Sequence, residues 1–515
     1  MIFYNLFFWK SQIYVNFWSR KGEFMKHLKL IITVLALTLA FHGCAKPEKK
    51  STDEVEILLS DDEIKISDRS AAHIAHDIVY YEEGHDFTYG EGTQKDAHNK
   101  AEADEHTVVH ITKAGTYRLQ GNLSTGQVAI DLGEDAKNDP NAVVTLILNG
   151  VDITCELAPA IIFYNVYECE TGEENASHEV DTSLAGANVI IADGSENIVN
   201  GSYVARIYKP DSVVLNEDGT EVEDADKLHK YDAAFYSKMS MNVCGKGKLT
   251  INAENEGLDS EMHLTINAGE IFINSGNDGI NTNEDGISVT TVNGGEVHIR
   301  VTGETGEGDG IDSNGWLVIN GGVVTTEACS ASADSGIDSD MGIHINGGTV
   351  IASGNMLDRI SESDATFAVF NFLKPLGEGT YTLKKGDTVI LEKEIENSFT
   401  SLIVTSPDLT DGDYTLWYND TPLVGATGEN GGGMRPDFPK GEMPEGVKPP
   451  DFPKGEMPEG VKPPDFPKGE MPEKKPFQEG DMTPPDKMSS RQLVLSEIFT
   501  IKQGANYFSF ISEKE

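Results

Sequence analysis

The chain has 515 residues, with 85 Asp and Glu against 40 Lys and Arg, a formal net charge of −45. Such an excess of acid excludes nucleic acid as the main partner and simple electrostatic docking on an anionic membrane, since both need a basic footprint. Glycine is 52 residues, about a tenth of the chain, and aromatic residues only 8%, a balance that favours turns and repeated short strands over helical bundles.

From Met25 the chain reads MKHLKLIITVLALTLAFHGC, with Lys26 and Lys29 ahead of an apolar run that ends at Cys44. This is the plan of a secretory signal, and the run is too short for a transmembrane anchor. A cysteine after a small residue at its end resembles a bacterial lipobox, in which the thiol is acylated and becomes the new N-terminus. Phe41 and His42 depart from that motif, so an ordinary signal peptide with an incidental cysteine is the competing reading. The expectation is a lipoprotein signal over 25–44 with lipid on Cys44, and a protein at the bacterial cell envelope or surface that touches the membrane only through that lipid. Residues 1–24 read as translated upstream sequence, and 45–104 as a polar tether. Cys155, Cys169, Cys244 and Cys329 permit disulfides outside the cytoplasm, in any of three pairings, or stay as buried thiols.

Self-similarity organises residues 105–360. Glu-Gly-Leu-Asp-Ser (256–260), Asp-Gly-Ile-Asn-Thr (278–282), Asp-Gly-Ile-Asp-Ser (309–313) and Ser-Gly-Ile-Asp-Ser (335–339) follow one template. Each precedes a short alternating strand: LTINAGEI, VTTVNGGEV, LVINGGVV and IHINGGTV. A weaker copy lies at 232–253. One such unit cannot bury its apolar face alone, whereas stacked units share a continuous core. The prediction is all-β, a parallel β-solenoid, with Ile266, Val292, Ile319 and Ile345 as one inward column. Asn267, Asn293, Asn320 and Asn346 fall at one turn of each unit, where asparagine can take a left-handed backbone and bond the neighbouring turn. That column reads as structural, and residues 203–231 as a polar excursion.

Strands TFAVFNFL, GTYTLKKGDTVI and SLIVTSP predict an antiparallel β cap over 361–430. Residues 431–490 hold Asp-Phe-Pro-Lys-Gly-Glu-Met-Pro-Glu units starting at Asp437, Asp451 and Asp465, an extended polyproline-like linker. Residues 491–515 return to a strand pattern that packs back on the cap.

The runs AGTYRLQGNL (114–123), LILNGVDIT (146–154), IADGSENIVNG (191–201), DAAFYSKMSMNVCGKGKLTINA (232–253) and the repeated DGI[DN]S turns resemble, in order, the bacterial carbohydrate-binding domain-containing family. The resemblance covers about residues 105–430 and the final strand, and implies a secreted right-handed parallel β-helix with a pectate-lyase-like fold. It further implies calcium-bound polysaccharide binding at the cell surface, with cellulose or pectic polymers as ligands. Met239, Met241 and the 203–231 excursion depart from the family, and Ser335 replaces an acid in the last unit.

Template equivalence sets Glu256, Asp278 and Asp309 in one column and Asp259, Asn281, Asp312 and Asp338 in another. Between Lys248 and Arg359 the chain holds 18 Asp and Glu and one basic residue, Arg300. Oxygen ligands converging without His or Cys select Ca²⁺ over zinc or copper. The competing reading is that these acids make local turns and point into water. Trp316, ahead of an alternating strand, either faces out to stack on a sugar or covers an apolar corner. For a polysaccharide lyase, the alternative function, Arg300 is the sole candidate base within the repeats. It reads better as a salt-bridge partner, so no catalytic residue is assigned. A structural stalk or adhesin is the third reading.

Overall fold

The computed structural model describes residues 54–76, 78, 100–169, 176–208, 227–427 and 494–511. Cys44, its signal and the proline-rich repeats lie outside the described residues. Among those described, helix is confined to Lys100–Asp104 and the 3₁₀ turn Glu134–Asn138, so the protein is all-β.

Three parallel ladders dominate. The first stacks Glu54–Leu59, Gly115–Leu123, Val144–Cys155, Glu196–Gly201, Lys248–Ala253, Glu270–Ser275, Glu296–Val301, Val323–Glu327 and Thr349–Gly354. The second starts from the same Val144–Cys155 strand. It continues through Ala187–Ile191, Met241–Gly245, Leu264–Ile266, Val289–Val292, Trp316–Ile319, Gly342–Ile345 and Ile360–Ser363. The third runs from Thr107–Ile111 through Gly126–Asp131, Ile161–Asn165, Ala233–Ser237, Glu256–Ser260 and Ile280–Thr282 to Ile311–Ser313. Each repeat therefore gives one short strand to each ladder, and rungs lie about 4.8 Å apart.

Alternation decides which side chains meet inside. Ile266, Val292, Ile319 and Ile345 pair in sequence along the second ladder, and none has exposed surface. Leu258, Ile280, Ile311 and Ile337 do the same in the third. Each aliphatic residue packs on its own equivalent one rung away. Aliphatic residues of similar size in each column are enough to fill such a core.

The asparagine turns bond as expected but not in the expected conformation. The side-chain amides of Asn293, Asn320 and Asn346 each donate to the side-chain oxygen of the preceding asparagine at 2.8–2.9 Å. The left-handed backbone falls two residues later, on Gly269, Gly295, Gly322 and Gly348, with φ between 81° and 121°. Glycine there carries the strain that a Cβ would oppose, and no asparagine of the column takes a positive φ.

Part of the stretch read as a tether belongs to the core. Glu54–Leu59 pairs in parallel with Gly115–Leu123 and buries Val55, Ile57 and Leu59 on alternate positions. The period-two pattern of VEILL outweighs its acidic surroundings. The excursion at 203–231 is anchored by an antiparallel pair, Val204–Tyr208 with Lys227–Tyr231. Cys155, Cys169 and Cys329 are free thiols, and burial pushes Cys155 up to about 11 and Cys169 up to about 12.

The cap is mixed rather than purely antiparallel. Phe367–Leu376 pairs antiparallel with Phe399–Thr405 but parallel with the terminal strand Ala505–Ile511. Phe399–Thr405 also pairs antiparallel with Thr349–Gly354, covering the open edge of the first ladder. Phe370, Phe372, Phe399, Phe499 and Phe510 form an aromatic core of their own. Val424–Thr427 pairs with Val494–Ser496, so Thr427 and Val494 are neighbours across a ladder. The chain that holds the proline-rich repeats thus leaves and re-enters the cap at one place.

Candidate metal centre

The repeat turns bring the predicted acids into register. Asp259 pairs with Asn281 and Asn281 with Asp312, while Asp338 follows the Ile311–Ile337 bridge. The Gly257 N–H donates to the Asp278 carbonyl and the Gly279 N–H to the Asp309 carbonyl, both at 3.0 Å, which sets Glu256, Asp278 and Asp309 on successive rungs.

The oxygens within these columns are engaged to different degrees. In the first, the Asp309 N–H donates to Asp278 Oδ1 at 2.6 Å, and the Ser335 N–H donates to Asp309 Oδ1. Those carboxylates staple one turn to the next, and Ser335 serves with its backbone where it lacks an acid. In the second, Asn281 Oδ1 and Asp338 Oδ1 are buried with no hydrogen-bond partner. Buried oxygens of that kind are costly unless something positive meets them.

Oxygens of Asp309, Asp312 and Asp338 lie within 4.8 Å of one another. Two like charges at this separation repel by about 1 kcal/mol in water and about 3 kcal/mol at an effective dielectric of 20. The carboxyls respond by holding protons. Burial, then the neighbouring Asp278, pushes Asp309 up to about 9. Burial with Asp358 raises Asp338 to about 7, and burial with Asp340 raises Asp312 to about 6. Asp278 moves the same way, through burial and then Asp312. An all-oxygen donor set under this strain suits a hard divalent cation.

Asp334, Asp340 and Asp358 add to the same negative field and were not singled out by the repeat pattern. Asp340 was within reach, two residues after Asp338 on the same face of the chain. Asp358, whose carboxylate accepts from the Ser339 N–H at 3.2 Å, lies past the last template copy. Glu256 and Asp259 are not drawn into the group. Asp259 sits two rungs away, where both its oxygens accept from the Asn283 amide at 3.0–3.1 Å.

Trp316 is half-buried, with Val289 and Gly342 as its ladder neighbours, and the Ser361 side chain takes the space beside Gly342. Arg300 lies on the outer face of the first ladder and reaches the cap. Its guanidinium meets Glu396 at 2.9 Å and Asn397 Oδ1 at 3.3 Å.

The sequence profile of the carbohydrate-binding domain-containing proteins matches residues 105–182 and 171–367, together about half of the chain. A carbohydrate-binding domain-containing protein of Acetivibrio thermocellus is 28% identical over 167 residues, 32% of this chain and 44% of that relative's length. No solved structure matches. On the profile match and the relative together, the chain belongs to the carbohydrate-binding domain-containing protein family.

Proposed function

We propose that the protein is a calcium-stabilised polysaccharide-binding module, built as a right-handed parallel β-helix and held at the bacterial cell envelope by lipid on Cys44. The observation that carries the reading is the Asp309–Asp312–Asp338 cluster, oxygen-only and strained by its own charge, in a member of a carbohydrate-binding family. Calcium at that cluster would neutralise the stacked carboxylates, and could share its remaining coordination with a sugar acid. The helical reading is supported by the three ladders, since a chain that visits each in turn and then rises one rung winds a coil. Its right hand is the one parallel crossovers take.

Binding without turnover is favoured because Arg300, the candidate base of a lyase, is engaged by Glu396 and Asn397. Cellulose and pectic polymers are the ligand classes to test. Polygalacturonate retention on immobilised protein should require Ca²⁺, and should weaken at least tenfold when Asp309 and Asp312 are both changed to Asn. Binding to cellulose should fall in Trp316→Ala and persist in EGTA. Unsaturated uronide products that appear with Ca²⁺ and vanish in Arg300→Ala would replace this reading with the lyase. A fatty-acid probe should label the wild type and not Cys44→Ser; equal labelling would remove the lipid anchor.

A further inference from the structure

Residues 176–186, between Ile161–Asn165 and Ala187–Ile191, form a strap over the outer face of the second ladder. That face presents the column Asn242, Thr265, Thr291, Val318 and His344, in continuous register. Five rungs make it about 19 Å long. The strap is pinned at both ends. The Thr182 hydroxyl lies 2.8 Å from Asn242 Oδ1 and 2.7 Å from the Thr265 hydroxyl. At the other end the His178 ring stacks on His344, with centroids 4.1 Å apart. Between the pins lies a groove of about 410 Å³, with Thr291 and Val318 among its lining, bounded by the strap's Glu179 and Asp181 and by the asparagine ladder.

We propose that this groove binds an uncharged, extended glycan laid along the stack, one sugar to each rung; the proposal rests on the carbohydrate-binding reading and locates the sugar. Three features converge on that ligand. The asparagines recur at the rung spacing, close to the advance per residue of an extended β-linked pyranose chain. The Asn293 and Asn320 amides each spend one N–H and one lone pair on their neighbours, leaving one of each for sugar hydroxyls. Glu179 and Asp181 accept from hydroxyls and repel uronates, and no Lys or Arg is among the groove's lining residues.

Titration calorimetry with cellohexaose tests it, using wild type, Asn320→Ala at an exposed ladder position, and Thr291→Trp to fill the groove. Both variants should bind at least tenfold more weakly while remaining folded at the assay temperature and keeping the wild-type Ca²⁺ response. EGTA should leave the wild-type affinity unchanged. If Thr291→Trp does not fold, Asn320→Ala decides alone. Undiminished binding in a folded groove variant would overturn the proposal. So would a wild type that binds polygalacturonate but not cellohexaose, an outcome that leaves the proposed function standing. Binding of neither glycan would end both.

Discussion

The ladders and the cap solve the same problem in opposite ways. In the ladders each core residue meets its template equivalent one rung away, so aliphatic columns such as Ile266–Val292–Ile319–Ile345 suffice and stability accrues rung by rung. In the cap, Phe370 meets Phe499 and Phe510, more than a hundred residues distant, at centroid distances of 5.4 and 5.7 Å. The aromatic cluster has no repeat to lean on and holds together as one unit. The repetitive region can carry functional side chains on its outer faces without disturbing its core. The cap closes an edge that would otherwise pair with another chain.

The sharpest way to break this contrast is Ile319→Asp. A carboxylate at a site with no exposure and no partner costs several kcal/mol, and far-UV circular dichroism should show the ladders unfolded at room temperature. A well-folded variant would mean the columns are not the core. Phe370→Ala should cost about 3–5 kcal/mol, concentrated in the cap. Calorimetry should then resolve an earlier transition for the cap while the Ca²⁺-responsive transition of the ladders stays put. One transition that moves as a whole would show that the two regions unfold together.

Calcium separates them more gently. At a hundred times its dissociation constant it should stabilise the ladders by about 2.7 kcal/mol, and Asp309→Asn with Asp312→Asn should remove that gain without harming the metal-free fold. No change in melting with EGTA would rule the ion out. Acidity reports on the same residues. Unfolded aspartates ionise near 3.8, whereas folded Asp312, Asp338 and Asp309 hold their protons to about 6, 7 and 9. The folded state therefore binds more protons across that interval, so metal-free stability should fall as pH rises from about 4 to about 9. Added Ca²⁺ should flatten the slope. The smallest effect is expected where the regions touch. Arg300 and Glu396 are substantially exposed, so Arg300→Gln should cost under about 1 kcal/mol.

What the sequence made legible follows from its repetition. Template copies fixed which residues share a rung, and so predicted both the Ile319 column and the register of Asp259, Asn281 and Asp312. Elements outside the template stayed hidden. Glu54–Leu59 joins the stack by pairing with a strand some sixty residues on, and nothing local marks that partner. Asp358 enters the acid cluster from a turn that copies no motif. The strap at 176–186 is positioned by single contacts, Thr182 and His178, with no periodicity to reveal them. Nor could the asparagine column show that glycine two residues later would take the strained backbone.

The neighbouring positions of Thr427 and Val494 give the proline-rich segment the topology of a closed loop. Everything after it, including Phe499, Phe508 and Phe510, is built into the aromatic cluster. A protease that cuts once within 428–493 would not release a tail. It would turn one polypeptide into two that migrate separately on a denaturing gel and together in solution, joined by the cap alone.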